Sequence, residues 1–331
     1  MLISLCKQIR KILVVGGAGF IGSHMVRYLA RAGFQVMVLD NLSKGHRDAL
    51  SDVELIVGDM GDKALLQHLF RQYHFSAVMH FASLIDIAES IQFPDLYYQN
   101  NVIATKTLLE TMLEHEIKHI IFSSTAAVYG EPKTNLLTEN HKLAPINPYG
   151  QSKKIAEKLM QMFSQAVGLN YIILRYFNAA GADPDGQLGE RHEPETHLIP
   201  LVLQVAAGKR EHVAIYGNQY PTLDGTCIRD YVHVTDLCHA HLLALEALLQ
   251  GKKNKIYNLG AGQGHSVLEV IEAVQRIVNR PVPIVQAHAR AGDSARLVAD
   301  TTLVRSELQW QPQYSDLETI IQHTWRFMNK Q

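Results

Sequence analysis

Apolar residues along this chain recur in two alternating rhythms. The runs Lys11 to Val15, Gln35 to Leu39, Val53 to Val57, Ala77 to His80, His119 to Ser124 and Tyr171 to Arg175 are short, rich in β-branched residues and of strand length. Between them lie stretches with apolar positions at helical intervals: Phe20 to Ala32, Lys63 to Tyr73 and Pro94 to His115. Pro148 opens another, in which Ile155, Ala156, Leu159, Met162 and Phe163 recur. Gly33 stops the first helix. Strands alternating with helices predict an α/β fold built on a doubly wound parallel sheet. Ligands of such sheets lie beyond the carboxyl ends of the strands. The ends here are Gly16, Asp40, Asp59, Phe81-Ala82, Ser123-Ser124-Thr125 and Phe177-Asn178, and they are expected to ring one cleft.

Past Phe177 the rhythm loosens. Residues 181–195 are rich in Gly, Pro, Asp and Glu and read as a loop opening a second region. Val232 to Leu249, Val267 to Val278 and Asp316 to Met328 read as helices, and Ile256 to Leu259 as a strand. Composition adds little to this picture but excludes several classes. Of 331 residues, 47% are hydrophobic and 19% charged, with a formal net charge of −1, which argues against a nucleic-acid partner. Cys6, Cys227 and Cys238 are odd in number and lack zinc spacing, so a reducing, cytoplasmic setting is expected. The seventeen histidines read as scattered, and no metal site is expected. Met1 to Arg10 lacks the basic start of a signal peptide and reads as an N-terminal extension. No segment has the apolar length of a membrane span.

The candidate chemistry begins at Gly16-Gly17-Ala18-Gly19-Phe20-Ile21-Gly22, between the first strand and the first helix. Gly16, Gly19 and Gly22 permit a tight turn, close approach to a pyrophosphate and close helix–sheet packing. Asp40 closes the second strand, where a carboxylate takes the adenosine ribose hydroxyls and repels a 2′-phosphate. That order predicts a Rossmann-type cofactor site that favours NAD over NADP. The expected division is 11–178 for this unit, with contributions from about 228–260. Residues 179–331 then form a smaller, partly interleaved substrate domain. Tyr149 and Lys153 stand four residues apart on the helix opened by Pro148 and share a face. A neighbouring ammonium favours the phenolate and makes the tyrosine a usable base. Taken alone, the same pair also fits a solvated helix face.

Several blocks together resemble one family. They are Gly16 to His24, Phe122-Ser123-Ser124-Thr125-Ala126-Ala127-Val128-Tyr129-Gly130, Tyr149-Gly150-Gln151-Ser152-Lys153, Leu174 to Asn178, Asp224 to Tyr231 and Tyr257 to Gly262. In order, and from about Lys11 to the C-terminus, they resemble the UDP-glucose 4-epimerases of the extended short-chain dehydrogenase/reductase family. The resemblance implies reversible hydride transfer at sugar carbon 4 through a 4-keto intermediate, interconverting UDP-glucose and UDP-galactose. It implies Tyr149 as the base, Lys153 as its partner on the nicotinamide ribose, and Thr125 on the reacting sugar oxygen. With the glycine turn, it implies that Phe20, Ile21, Asp40, Asn41, Asp59, Met60, Phe81, Ala82, Asn100 and Phe177 line NAD. For the nucleotide sugar it implies Asn178, Leu198, Tyr216, Arg229, Arg290 and Asp293, and a homodimer through the helices near Pro94–His115 and Tyr149–Gly168. The two guanidinium groups suit a diphosphate.

The chain also departs from the family pattern. Val15 stands where Thr is common, and Ile85-Asp86 where some members carry Lys. His197 replaces an Asn of some members, within the substrate set. Leu297 takes the place of a bulky Tyr that excludes N-acetylated sugars, so UDP-GlcNAc and UDP-GalNAc become candidate substrates. Ala126-Ala127 occupy the positions where dehydratases carry Asp-Glu, which removes the acid–base pair that reaction needs. A 4-epimerase of pentose or uronate UDP-sugars, and a non-catalytic NAD-sensing protein, remain as alternatives.

Overall fold

A computed structural model describes residues 10–290 and 292–330. The expectations for the extension and for Cys6 otherwise lie outside the described residues. β1 (Lys11–Val15) enters the glycine turn and α1 (Phe20–Arg31), followed by β2 (Gln35–Asp40) and β3 (Glu54–Val57). α2 (Lys63–Gln72), β4 (Ala77–His80), α3 (Ile87–Gln92), α4 (Pro94–Tyr98) and α5 (Thr105–Glu114) come next, then β5 (His119–Thr125), α6 (Pro148–Val167) and β6 (Asn170–Tyr176). The chain continues through β7 (Asn178–Ala180), α7 (Leu198–Ala206), β8 (Val213–Tyr216), β9 (Ile228–His233), α8 (Val234–Leu249) and β10 (Lys255–Leu259). It ends with β11 (Gly264–Ser266), α9 (Val267–Val278), β12 (Ile284–Ala287), β13 (Arg296–Leu297), α10 (Thr302–Leu308) and α11 (Leu317–Met328).

Seven strands form one parallel sheet in the order β10-β6-β5-β4-β1-β2-β3. This is a Rossmann-type α/β fold, and its winding reverses between β1 and β4. Strand pleating divides the core. Ile12, Val14, Val38 and Met79 face α1 and α8, while Leu13, Val15, Met37, Leu39 and Val78 face α2, α5 and α6. All are buried, and each such side chain contributes about 1.5–3 kcal/mol. Both faces are apolar because both carry helices, so the strands read as continuous runs with little alternation. Two small sheets lie outside this one: β11-β9-β13, with β7 also on β9, and the parallel pair β8–β12. Among the described residues no helix is long and apolar enough to cross a membrane.

Two element expectations are corrected. The stretch Pro94–His115 contains a π-helical segment, Gln99–Ala104, between α4 and α5. The wider turn lets Asn101 point inward, where its side chain pairs with the Leu84 backbone at both N–H and C=O and donates to Ser152 Oγ. Helix α8 begins at Val234, because Val232 and His233 pair with β7 as the end of β9. Asp86 caps α3 by accepting from Glu89 N–H.

Candidate active site

The glycine turn is built by steric necessity. A Cβ on Gly16 would lie 2.3 Å from Ala82 N, and one on Gly22 would lie 2.1 Å from Gly16 O. Gly16 also has φ +79°, a left-handed value that glycine adopts without strain. Gly19 differs, since a Cβ there meets only Gly16 O, at 3.5 Å. No side chain caps α1 and no acid lies in its first turn, so the orphan N–H groups are left for an anion. Asp40 braces this cradle from β2: its carboxylate accepts from Ala18 N at 2.9 Å and Leu42 N at 2.8 Å. Each oxygen keeps a second lone pair for ribose hydroxyls. Asn41 donates to Asp59, and Asp59 also accepts from Gly61 N, which fixes the neighbouring strand end. The arrangement fits a dinucleotide.

Helix α6 carries the candidate base. Asn147 caps it by accepting from Gly150 N at 2.8 Å, and Pro148 holds the first helical position. A Cβ on Gly150 would lie 2.5 Å from Ala127 O, so glycine lets the first turn approach the turn after β5. That approach brings Tyr149 to Thr125. Burial pushes the Tyr149 phenol up to about 12, and the Thr125 hydroxyl beside it pulls the other way. Lys153 is 3% exposed and donates to Ser123 O at 2.8 Å. Burial lowers its pKa to about 7, opposed by the Glu157 carboxylate. Burial disfavours the charged form of both groups in the ligand-free protein.

Behind Lys153 lies a buried ionic brace that sequence reading did not find. Glu157, one turn further along α6, receives two hydrogen bonds from Arg175, at 2.9 and 2.6 Å, and one from Ser124 Oγ. Arg175 also donates to Tyr129 Oη, which donates in turn to Asn258. The signal was present, since Glu157 and Arg175 are charges inside otherwise apolar helix and strand faces. Asp230 is a second such residue. Its carboxylate accepts from Ala261, Gly262 and Ala299 N–H groups, and burial raises it to about 6. It locks the glycine turn after β10 to the strand that carries Arg229.

On the opposite wall, Arg229 pairs in register with Leu297, and Asn178 with Tyr231. The Arg229 guanidinium donates to Ser294 O at 2.7 Å and reaches Asp293 at 3.2 Å. Arg290 stacks over the Tyr216 ring at 3.7 Å. Leu297 packs on a cluster with Ala126, Val128 and Phe177, which places the gate position against the turn that follows Thr125. Leu198 opens α7. Met60 is buried beside α5, Phe81 packs on His241, and Asn100 donates to Asn101. His197 does not present a free imidazole, being held by Glu190 at 2.8 Å and Glu195 at 2.9 Å. With His192 these residues form a cluster, so the histidines are not all scattered.

Comparison with known proteins agrees with this geometry. Residues 12–260 match the NAD dependent epimerase/dehydratase family. The chain is 51% identical to a UDP-glucose 4-epimerase of Halalkalibacterium halodurans, over 96% of this chain and 95% of that one. It resembles the crystal structure of UDP-glucose 4-epimerase from Bifidobacterium longum in complex with NAD+ and UDP, with TM-score 0.92 and 36% identity over 97% of this chain and 98% of that one. It also resembles the UDP-Glc/GlcNAc 4-epimerase from Campylobacter jejuni, with TM-score 0.84 and 42% identity over 97% and 99%.

Proposed function

Because this chain belongs to the NAD dependent epimerase/dehydratase family, we propose that it uses NAD to interconvert UDP-glucose and UDP-galactose at sugar carbon 4. The observation that carries this reading is the convergence of Thr125 and Tyr149 beside the buried Lys153, at the carboxyl edge of the parallel sheet. The uncapped glycine turn and Asp40 hold the cofactor, with Phe20, Ile21, Asn41, Asp59, Met60, Phe81, Ala82, Asn100 and Phe177 along it. Bound NAD supplies the acceptor and later the donor of the carbon 4 hydride, and its oxidised ring carries a positive charge. Tyr149 takes the 4-hydroxyl proton and returns it after the 4-keto sugar has turned over, while Thr125 hydrogen-bonds the reacting oxygen. That positive charge matters here, since burial alone leaves Tyr149 a poor base. Lys153, held by Ser123 O, keeps further N–H groups for the ribose.

Residues 179–331 hold the nucleotide sugar through Asn178 at their edge, Leu198, Tyr216, Arg229, Arg290 and Asp293. The guanidinium forks grip the diphosphate and leave the sugar free to rotate. A second reading extends the substrate range to UDP-GlcNAc and UDP-GalNAc. It is supported by Leu297, smaller than Tyr, facing Ala126, and by the dual substrate named for the Campylobacter jejuni relative. One panel tests both readings: UDP-galactose and UDP-GalNAc, read for 4-epimer formation, with Tyr149→Phe as control. Wild-type protein turns over both, and Tyr149→Phe loses about 10²–10⁴ in kcat. Full activity in that variant sinks the mechanism, and turnover of UDP-galactose alone sinks the wider specificity.

The quaternary reading is a homodimer. Ile91, Phe93, Leu96 and Ile103, from α3 to the π segment, and Met162 and Val167 on α6 are exposed apolar side chains on neighbouring helices. A monomer by light scattering at working concentration counts against it. Cys227 and Cys238 are free thiols, which suits the cytoplasm.

A further inference from the structure

The loop from β7 to α7 gathers four donors, of which only His197 was expected at the substrate and none takes part in hydride or proton transfer. Glu190, His192, Glu195 and His197 each offer one ligand atom, and these atoms all lie within 4.8 Å of one another. His192 Nδ1 and His197 Nδ1 approach the same Glu190 Oε1, at 2.9 and 2.8 Å, and His197 Nδ1 is 2.9 Å from Glu195 Oε1. The two imidazole rings lie at 41° to one another with centroids 5.0 Å apart. Both carboxylates are nearly buried, with side-chain exposures of 4% and 7%. Buried carboxylates require a counter-charge, which without an ion falls to a protonated imidazole of His197 between them, a proton that a bound ion displaces. Arg191, between them in sequence, does not supply that charge, because its guanidinium makes a two-pronged contact with Asp48 at 2.8 and 2.9 Å.

We infer that Glu190, His192, Glu195 and His197 form a structural site for a divalent transition metal of the zinc class. Two carboxylates and two neutral imidazoles carry two negative charges, which one divalent ion cancels. Mixed nitrogen and oxygen donors without thiolate suit zinc, and four protein ligands make a closed, non-catalytic site. Zinc ligands at about 2.0–2.2 Å stand roughly 3.3 Å apart in a tetrahedron. The contacts at 2.8–2.9 Å need to spread by a few tenths of an ångström, and the wider pairs, up to 4.8 Å, to close.

The position gives the ion a task. His46 Nε2 is 2.8 Å from Arg191 O, and Gly19, Phe20, His46, Gly189 and His192 line one small cavity. At its other end His197 is the residue from which α7 departs. An ion at this point pins the loop between the cofactor's glycine turn and the substrate helix. It acts by holding these walls together and takes no part in hydride or proton transfer.

The test uses the full chain, stripped with a chelator, desalted and titrated with ZnCl₂ in a calorimeter. One equivalent binds per chain and raises the thermal midpoint by a few degrees. Co²⁺ in place of Zn²⁺ gives the visible absorption of a four-coordinate ion. His192→Ala lowers Zn²⁺ affinity at least about tenfold and abolishes the midpoint shift. Glu195→Gln, a gentler change, does the same, while His68→Ala on α2 binds as wild type. No saturable one-equivalent uptake, or equal uptake in His192→Ala and Glu195→Gln, overturns the site and leaves a cluster held by imidazolium–carboxylate pairs alone.

Discussion

The two walls of the cleft are built by opposite means. The wall around Tyr149 and Lys153 is dry and braced, with α6 tied through Glu157 to Arg175 on β6 and through Lys153 to β5. The wall around Arg229, Arg290 and Tyr216 sits on short strands of small sheets and on loops. Its charged groups are partly exposed and satisfied by single carbonyls, one carboxylate and one ring face. In the proposed function the first wall fixes a reacting atom to within fractions of an ångström, which rigid packing does well. The second, in the same proposal, holds a diphosphate while a sugar turns over. Strong but peripheral charge contacts allow that, because they constrain one end of the ligand only.

This contrast can be broken at both walls. The largest stability change is expected from Glu157→Leu, which strands the buried Arg175 charge and costs about 3–5 kcal/mol, read as a lower urea midpoint. Adding Arg175→Met to it recovers most of the loss, because the stranded charge is removed. On the other wall, Arg229→Ala raises KM for UDP-galactose about 10–100-fold and leaves the urea midpoint nearly unchanged. A large stability loss there dissolves the distinction between the walls. The smallest effect is the most diagnostic. Burial lowers Lys153 from its ordinary 10.5 to about 7, so the unfolded chain binds more protons between those values. Stability then rises with pH through about pH 7–10. Lys153→Met, which also forfeits the bond to Ser123 O, is expected to gain about 1–2 kcal/mol at pH 7, and the difference turns against the variant towards pH 10. A pH-independent difference between variant and wild type refutes the desolvated amine.

Much of the fold was legible because each layer leaves a local trace. The strand runs ending at Val15, Asp40 and Thr125, the glycine turn and the capped start of α6 are all set by neighbours in sequence. The π segment at Gln99–Ala104 was not legible, since its apolar spacing differs little from an α-helix and only the inward reach of Asn101 reveals it. The start of α8 was misplaced because Val232 and His233 fit either state until β7 pairs with them. The small sheets escaped because their strands are short.

The sequence by itself determined the winding of the large sheet, the place of the cofactor turn and the pairing of Tyr149 with Lys153 on one helix face. These depend on spacing, steric size and periodicity, which are local. Only the tertiary structure decided how those groups ionise, that Glu157 and Arg175 brace them, and that Glu190, His192, Glu195 and His197 converge. Desolvation and ion pairing depend on what surrounds a group, and for these residues much of that surrounding comes from distant parts of the chain.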